Sequence, residues 1–168
     1  MSAEDSVALE RLSPCAFDRL GEARLRLLSS TFYDSVFDDK TPLPSGVLLR
    51  EAFSSVTREV GAKRQACFLV ERFGGPKLFS QLRGRSMLLA RHAPYSGVTA
   101  EGGARWLSHM LAALESLTLD DAELSAALKS YFTFTVSYVV NGRVLCNAHN
   151  LVGYGDVPVS RDDESRPS

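Results

Sequence analysis

Cysteine is scarce in this chain. Three occur in 168 residues, Cys15, Cys67 and Cys146, widely spaced and with no C-x-x-C pair. A scattered, odd-numbered set argues against a disulfide framework and against zinc or iron–sulfur ligation, so the three read as free thiols. Charge of one sign is equally lacking: 19 Lys and Arg stand against 20 Asp and Glu, for a net charge of −1. No broad basic field is available to nucleic acid or to an anionic membrane, and neither is expected as a partner. No apolar run approaches the roughly 20 residues of a membrane span. There is no glycine-rich phosphate loop of the form G-x-x-x-x-G-K-[ST], and no internal repeat. The first residues, "MSAEDSVALERLSP", lack both an apolar secretory core and the Arg-rich look of a transit peptide, so a cytoplasmic location is expected. Histidine occurs three times and tryptophan once, which makes their positions informative.

What is present is a globular balance, 45% hydrophobic and 23% charged, in a length that suits one domain with one core. Residues 1–15 read as a flexible lead, 16–145 as the domain, and 146–168, rich in Gly, Pro, Ser and charge, as a flexible tail. Within the domain the apolar spacing is helical. Leu25, Leu28, Phe32 and Val36 make one stripe of a helix over about 18–38. "DDKTPLPSG" (38–46) breaks it, and a short helix over about 46–53 follows. Val56, Val60, Cys67 and Val70 mark a helix over 57–73 that stops at Gly74-Gly75-Pro76. Leu107, Met110, Leu111 and Leu114 mark another over about 100–117, with Thr99 as its cap. Asp120 with Glu123 reads as a capping box for a last, nearly all-apolar helix over about 121–140. The result is an all-α domain with one long irregular stretch, 74–98. Loops of that length in compact domains usually serve a function.

Inside that stretch lies "MLLARHAPYSG" (87–97), where His92 ends an apolar turn just before Pro94. Such a histidine is either packing filler or a ligand. On the helix over 57–73, Gly61, Gln65 and Phe68 share a second face by i, i+4, i+7 spacing. Gly61 costs that helix about 1 kcal/mol relative to alanine, which suggests that something bulky approaches there; a surface glycine beside a solvated glutamine is the plain alternative. Tyr33 points about 100° away from Phe32 on its helix. Trp106 sits on the helix with the clear leucine stripe. Each carries one polar donor on an apolar body; taken alone, each is more often a core aromatic with its polar tip at water. His109 reads as a polar or packing residue.

Four motifs, "TFYDSVFDD" (31–39), "FLVERFGGPKLFSQLRG" (68–84), "ARHAPY" (90–95) and "ARWLSHM" (104–110), occur in the order and near the spacings of the truncated haemoglobins. The chain resembles the second group of that family, and most of all its plant-type members, over roughly residues 16–145. The resemblance implies a two-over-two helical sandwich around haem b. It implies that His92 is the proximal ligand to iron and that Arg91 pairs with a propionate. Phe53, Gly61, Phe68 and Tyr95 fall in the cofactor-contacting set, and Tyr33, Gln65 and Trp106 form the distal pocket. Dioxygen on ferrous iron is the implied ligand, with NO, CO or peroxide as others. An NO dioxygenase or peroxidase at the same haem is the enzymatic alternative; it would need a separate reductase, since no flavin or nicotinamide motif is present. A haem-free helical interaction module is the alternative from another class. Monomer and homodimer both remain open. The chain departs from the family at Gly84-Arg85-Ser86, where Gly-His-Pro is usual, at Phe79, where a tyrosine is usual, and by one extra residue between His92 and Trp106. Ser86 could cap the short proximal helix in place of the lost proline.

Overall fold

The computed structural model describes residues 16–84 and 100–141, with side chains as far as Val136. His92, Arg91, Tyr95, Thr99, Ser86, Cys15, Cys146 and both expected flexible ends lie outside the described residues. Among those described, six helices occur: α1 (Ala16–Phe37), α2 (Pro44–Phe53), α3 (Arg58–Arg72), α4 (Leu78–Arg83), α5 (Ala100–Ser116) and α6 (Ala122–Asn141). None of them is long and apolar enough to cross a membrane. The main pairs are α1 on α3 and α5 on α6, and α1 and α2 both meet α5. Two helical pairs thus form two layers around one core.

α1 is broken at Gly21, whose φ of 73° and ψ of 160° are not helical. Glycine takes a positive φ without the steric cost other residues meet. The short arm before it, Ala16–Leu20, folds onto the end of α3: Phe17 N donates to Phe73 O at 2.9 Å, and a Cβ at Gly75 would lie 2.7 Å from Phe17 Cδ2. Arg19 on the same arm pairs with Asp121 and Glu123 at the start of α6. Past the break, the predicted stripe of Leu25, Leu28, Phe32 and Val36 is fully buried.

α2 starts two residues earlier than expected, with proline in its first turn, where the missing N–H costs nothing. α3 is capped by Thr57, whose hydroxyl accepts from Val60 N at 3.3 Å. Its buried residues are Gly61, Ala66, Cys67, Leu69 and Val70, so Cys67 and Val70 of the expected stripe are buried, while Val60 is 41% exposed. The expected stripe through Val60 is therefore corrected: Val60 sits in the capped first turn, off the core side.

The expected irregular stretch also needs correction at its start, because residues 78–83 form α4. Glu71 of α3 holds that helix. Its carboxylate accepts from Ser80 N at 2.8 Å and from the Ser80 hydroxyl, and the left-handed Gly84 ends it. The cap of α6 is Asp121 rather than Asp120: Asp121 Oδ1 accepts from Leu124 N at 3.0 Å, and Glu123 turns instead to Arg19. The core of α6 is Leu124, Leu128, Tyr131 and Phe132, with Phe134 also buried, and Thr133 breaks the apolar girdle on the exposed side.

Candidate functional site

Where α1, α2, α3 and α5 converge, an aromatic group forms around Phe32, which is completely buried. Tyr33 meets it edge-on at 5.4 Å between ring centroids and 88°. Phe53, the last residue of α2, approaches at 6.1 Å, and Trp106 of α5 lies at 5.2 Å. Tyr33 and Phe53 also meet each other at 5.4 Å and 71°. The three edge-to-face contacts among Phe32, Tyr33 and Phe53 add about 0.5–1.5 kcal/mol each beyond area burial, while the Trp106 ring is tilted on Phe32. Helix geometry explains the arrangement: Phe32 belongs to the buried stripe of α1, and Tyr33, one residue on, is turned toward α3.

Gly61 is what α3 offers to Tyr33. A Cβ there would fall 2.6 Å from Tyr33 Cζ and closer still to Cε1. The bulky neighbour that its helix cost suggested is, in this structure, the Tyr33 ring. One turn on, Gln65 is partly buried, and its Oε1 is buried with no hydrogen-bond partner among the described residues. An amide oxygen in that state is costly, so the position asks for a partner. Turning the amide over would put a donor in the same place. Phe68, the third residue of this face, packs half-buried against the core and meets Phe79 edge-on at 5.5 Å and 84°.

Tyr33, Phe53, Gly61 and Trp106 are thus brought into one group, with Gln65 and Phe68 following along α3. Tyr33, Phe53, Phe68 and Trp106 are all only partly covered by the core they pack on. Half-covered aromatic faces beside one unsatisfied amide fit a flat apolar cofactor that carries a polar ligand. Arg91, His92 and Tyr95, the expected proximal side, lie outside the described residues.

The sequence expectations passed over a second group next to the first. Asp39, two residues beyond α1, has a side chain only 3% exposed. Its carboxylate accepts from Arg105 Nε at 2.8 Å and Nη2 at 3.1 Å, and from Thr41 N at 2.9 Å. His109 Nε2 lies 2.9 Å from Oδ2, and His109 Nδ1 lies 2.6 Å from the Ser35 hydroxyl. The Arg105 hydrogen bonds hold the Asp39 carboxyl far below the usual carboxylate range; Thr41 and His109 add to this, and burial opposes it. His109 is therefore committed to Asp39 and Ser35, in line with its reading as a polar packing residue. A signal for Asp39 was available: it lies three residues after Val36 and seven after Phe32, on the continuation of the buried stripe.

An all-α, two-layer arrangement with aromatics at one helix crossing is the architecture of a globin. Residues 15–139 match the family described as bacterial-like globin, and the chain belongs to that family. Its relatives are more particular. The Group 2 truncated hemoglobin 3-1 of Lotus japonicus is 34% identical over 131 residues, 78% of this chain and 74% of that protein. The Two-on-two hemoglobin-3 of Arabidopsis thaliana is also 34% identical over 131 residues, 78% of this chain and 71% of that one. Among solved structures, the truncated oxygen-avid haemoglobin from Bacillus subtilis is similar with a TM-score of 0.60 and 33% identity, covering 74% of this chain and 98% of that chain. The resemblance carried by the four motifs therefore stands: the fold is that of a truncated globin, and globins hold haem and bind small gaseous ligands on it.

Proposed function

We propose that this chain binds haem b and holds dioxygen tightly on it, releasing it slowly. The observation that carries the reading is the buried Gln65 amide, unsatisfied one turn along α3 from Gly61, the residue against which the Tyr33 ring packs. The haem would supply a ferrous iron able to take a diatomic gas. The protein's part is to hold the group and to surround the ligand. Phe53, Phe68 and Tyr95 would pack on the apolar ring, beside Gly61. Arg91 would pair with a propionate as a charge-assisted donor. His92 would offer a neutral imidazole nitrogen to the iron. Tyr33 O–H, Gln65 N–H and Trp106 N–H are the available distal donors. One donor contributes about 1–3 kcal/mol in a dry pocket. Two together slow ligand release by about a hundredfold. Tight holding suits sensing or redox chemistry better than bulk transport, and the similar haemoglobin of Bacillus subtilis is oxygen-avid. A cytoplasmic location and a globin domain reaching to about residue 145 belong to the same reading.

The test is an absorption spectrum of the purified chain with haem, ferric, then ferrous, then under CO and air. A stoichiometric Soret band that shifts with CO, and weakens or moves in His92→Ala, is expected. Tyr33→Phe and Trp106→Phe should each speed dioxygen release. Absence of stoichiometric haem uptake would sink the reading and leave a helical interaction module. Sustained NO or peroxide turnover with a separate reductase would move it to an enzyme.

A further inference from the structure

We infer that Asp39 is a positioning residue: through Arg105, His109 and Ser35 it sets the rotation of α5 against α1, and so the aim of Trp106 relative to Tyr33. The inference rests on the proposed distal roles of those two residues. Three observations carry it. First, the network spans the right elements. Ser35 lies two residues after Tyr33 on α1, and Arg105 and His109 lie one before and three after Trp106 on α5. Second, it is directional. Arg105 grips Asp39 with two nitrogens, and such a fork fixes orientation as well as distance. His109 bridges Asp39 and Ser35 with both ring nitrogens. Third, it is anchored from behind: Arg50 of α2 donates to Asp39 O at 2.8 Å and Thr41 O at 3.1 Å. The same helix ends in Phe53, a member of the aromatic group.

Apolar packing holds α5 on α1 but tolerates small changes of roll, because the hydrophobic effect itself has no direction. A helical side chain reaches about 5–6 Å from the axis, so a 20° roll would carry the Trp106 indole about 2 Å. That is enough to lose a hydrogen bond to a ligand. Buried ion pairs are often no more stabilising than apolar replacements, and specifying one arrangement is a known use of them. The Asp39 group is placed where one arrangement matters.

The experiment uses the haem-loaded full chain. Trp106 is the only tryptophan, so its fluorescence lifetime, governed by energy transfer to haem, reads its distance and orientation directly. Asp39→Asn and Arg105→Lys are compared with Arg19→Gln, which cuts the tie of the arm to Asp121 and Glu123 and touches no residue of the Asp39 group. Arg105→Lys keeps the charge but loses the fork, and it decides the matter should Asp39→Asn not fold. Both clamp variants should change the Trp106 lifetime and speed dioxygen release by about tenfold. Arg19→Gln should lower the melting temperature and alter neither. Folded, haem-loaded clamp variants with wild-type lifetime and release would overturn the inference, as would equal changes in Arg19→Gln. Should Tyr33→Phe and Trp106→Phe leave release untouched, the dioxygen reading fails, and the lifetime alone then decides the role of Asp39.

Discussion

The crossing of α1 and α5 has two neighbouring halves built on opposite principles. Around Phe32, Tyr33, Phe53 and Trp106 meet ring against ring. Around Asp39, a carboxylate gathers a guanidinium, an imidazole and a backbone N–H. The aromatic half supplies burial, which is large and tolerant of small shifts. The polar half supplies little net burial energy, but its bonds have directions. Each half lacks what the other has, and the contrast predicts different sensitivities for the two.

The largest loss is expected from Phe32→Ala, which empties the centre of the aromatic half. Stability should fall by about 3–5 kcal/mol in chemical denaturation; a loss below about 1 kcal/mol would mean that the rings close over the gap. Asp39→Asn comes next, at about 1.5–3 kcal/mol near neutral pH, because it weakens the charge-assisted bonds from Arg105, whose partly exposed guanidinium can turn to water. Here acid sharpens the contrast. The folded carboxyl lies below its ordinary value of 3.8, so its contribution is present above that value and is lost as pH falls through it and below. Unfolding measured across that range should show a steeper loss in wild type and Phe32→Ala than in Asp39→Asn. Equal slopes would show that Asp39 is not the responsive group. Gly61→Ala should cost about 1–3 kcal/mol through crowding of the Tyr33 ring, less the gain in helix propensity. A crystal structure with Tyr33 unmoved and stability raised would show spare room there. Thr57→Ala removes only the α3 cap, and a loss of about 1 kcal/mol is expected in thermal unfolding.

Much of the helical fold can be read directly from spacing, because buried stripes repeat with the helical period. Leu25 to Val36 is such a stripe. Reading failed where a local rule met a tertiary partner. Asp120 and Glu123 have capping-box spacing, yet Glu123 answers to Arg19 across the chain, and Asp121 caps. Val60 is apolar but falls in a first turn that faces solvent. Residues 78–83 carry no strong periodic signal; a carboxylate on α3 holds them. At the candidate site, Tyr33, Phe53, Gly61 and Trp106 fall in one group around Phe32. Asp39 was passed over because a carboxylate on a buried stripe makes sense only once Arg105, 66 residues away, is known to meet it.

The arm before Gly21 has a kinetic consequence. It touches Phe73 and Gly75 at one side and residues 121 and 123 at the other. It can dock only after distant parts of the chain have already come together, so its contacts belong to the downhill side of the folding barrier. Weakening the arm should leave the rate of folding alone and hasten unfolding. The arm that Gly21 sets off thereby governs how long the native state lasts more than how quickly it is reached.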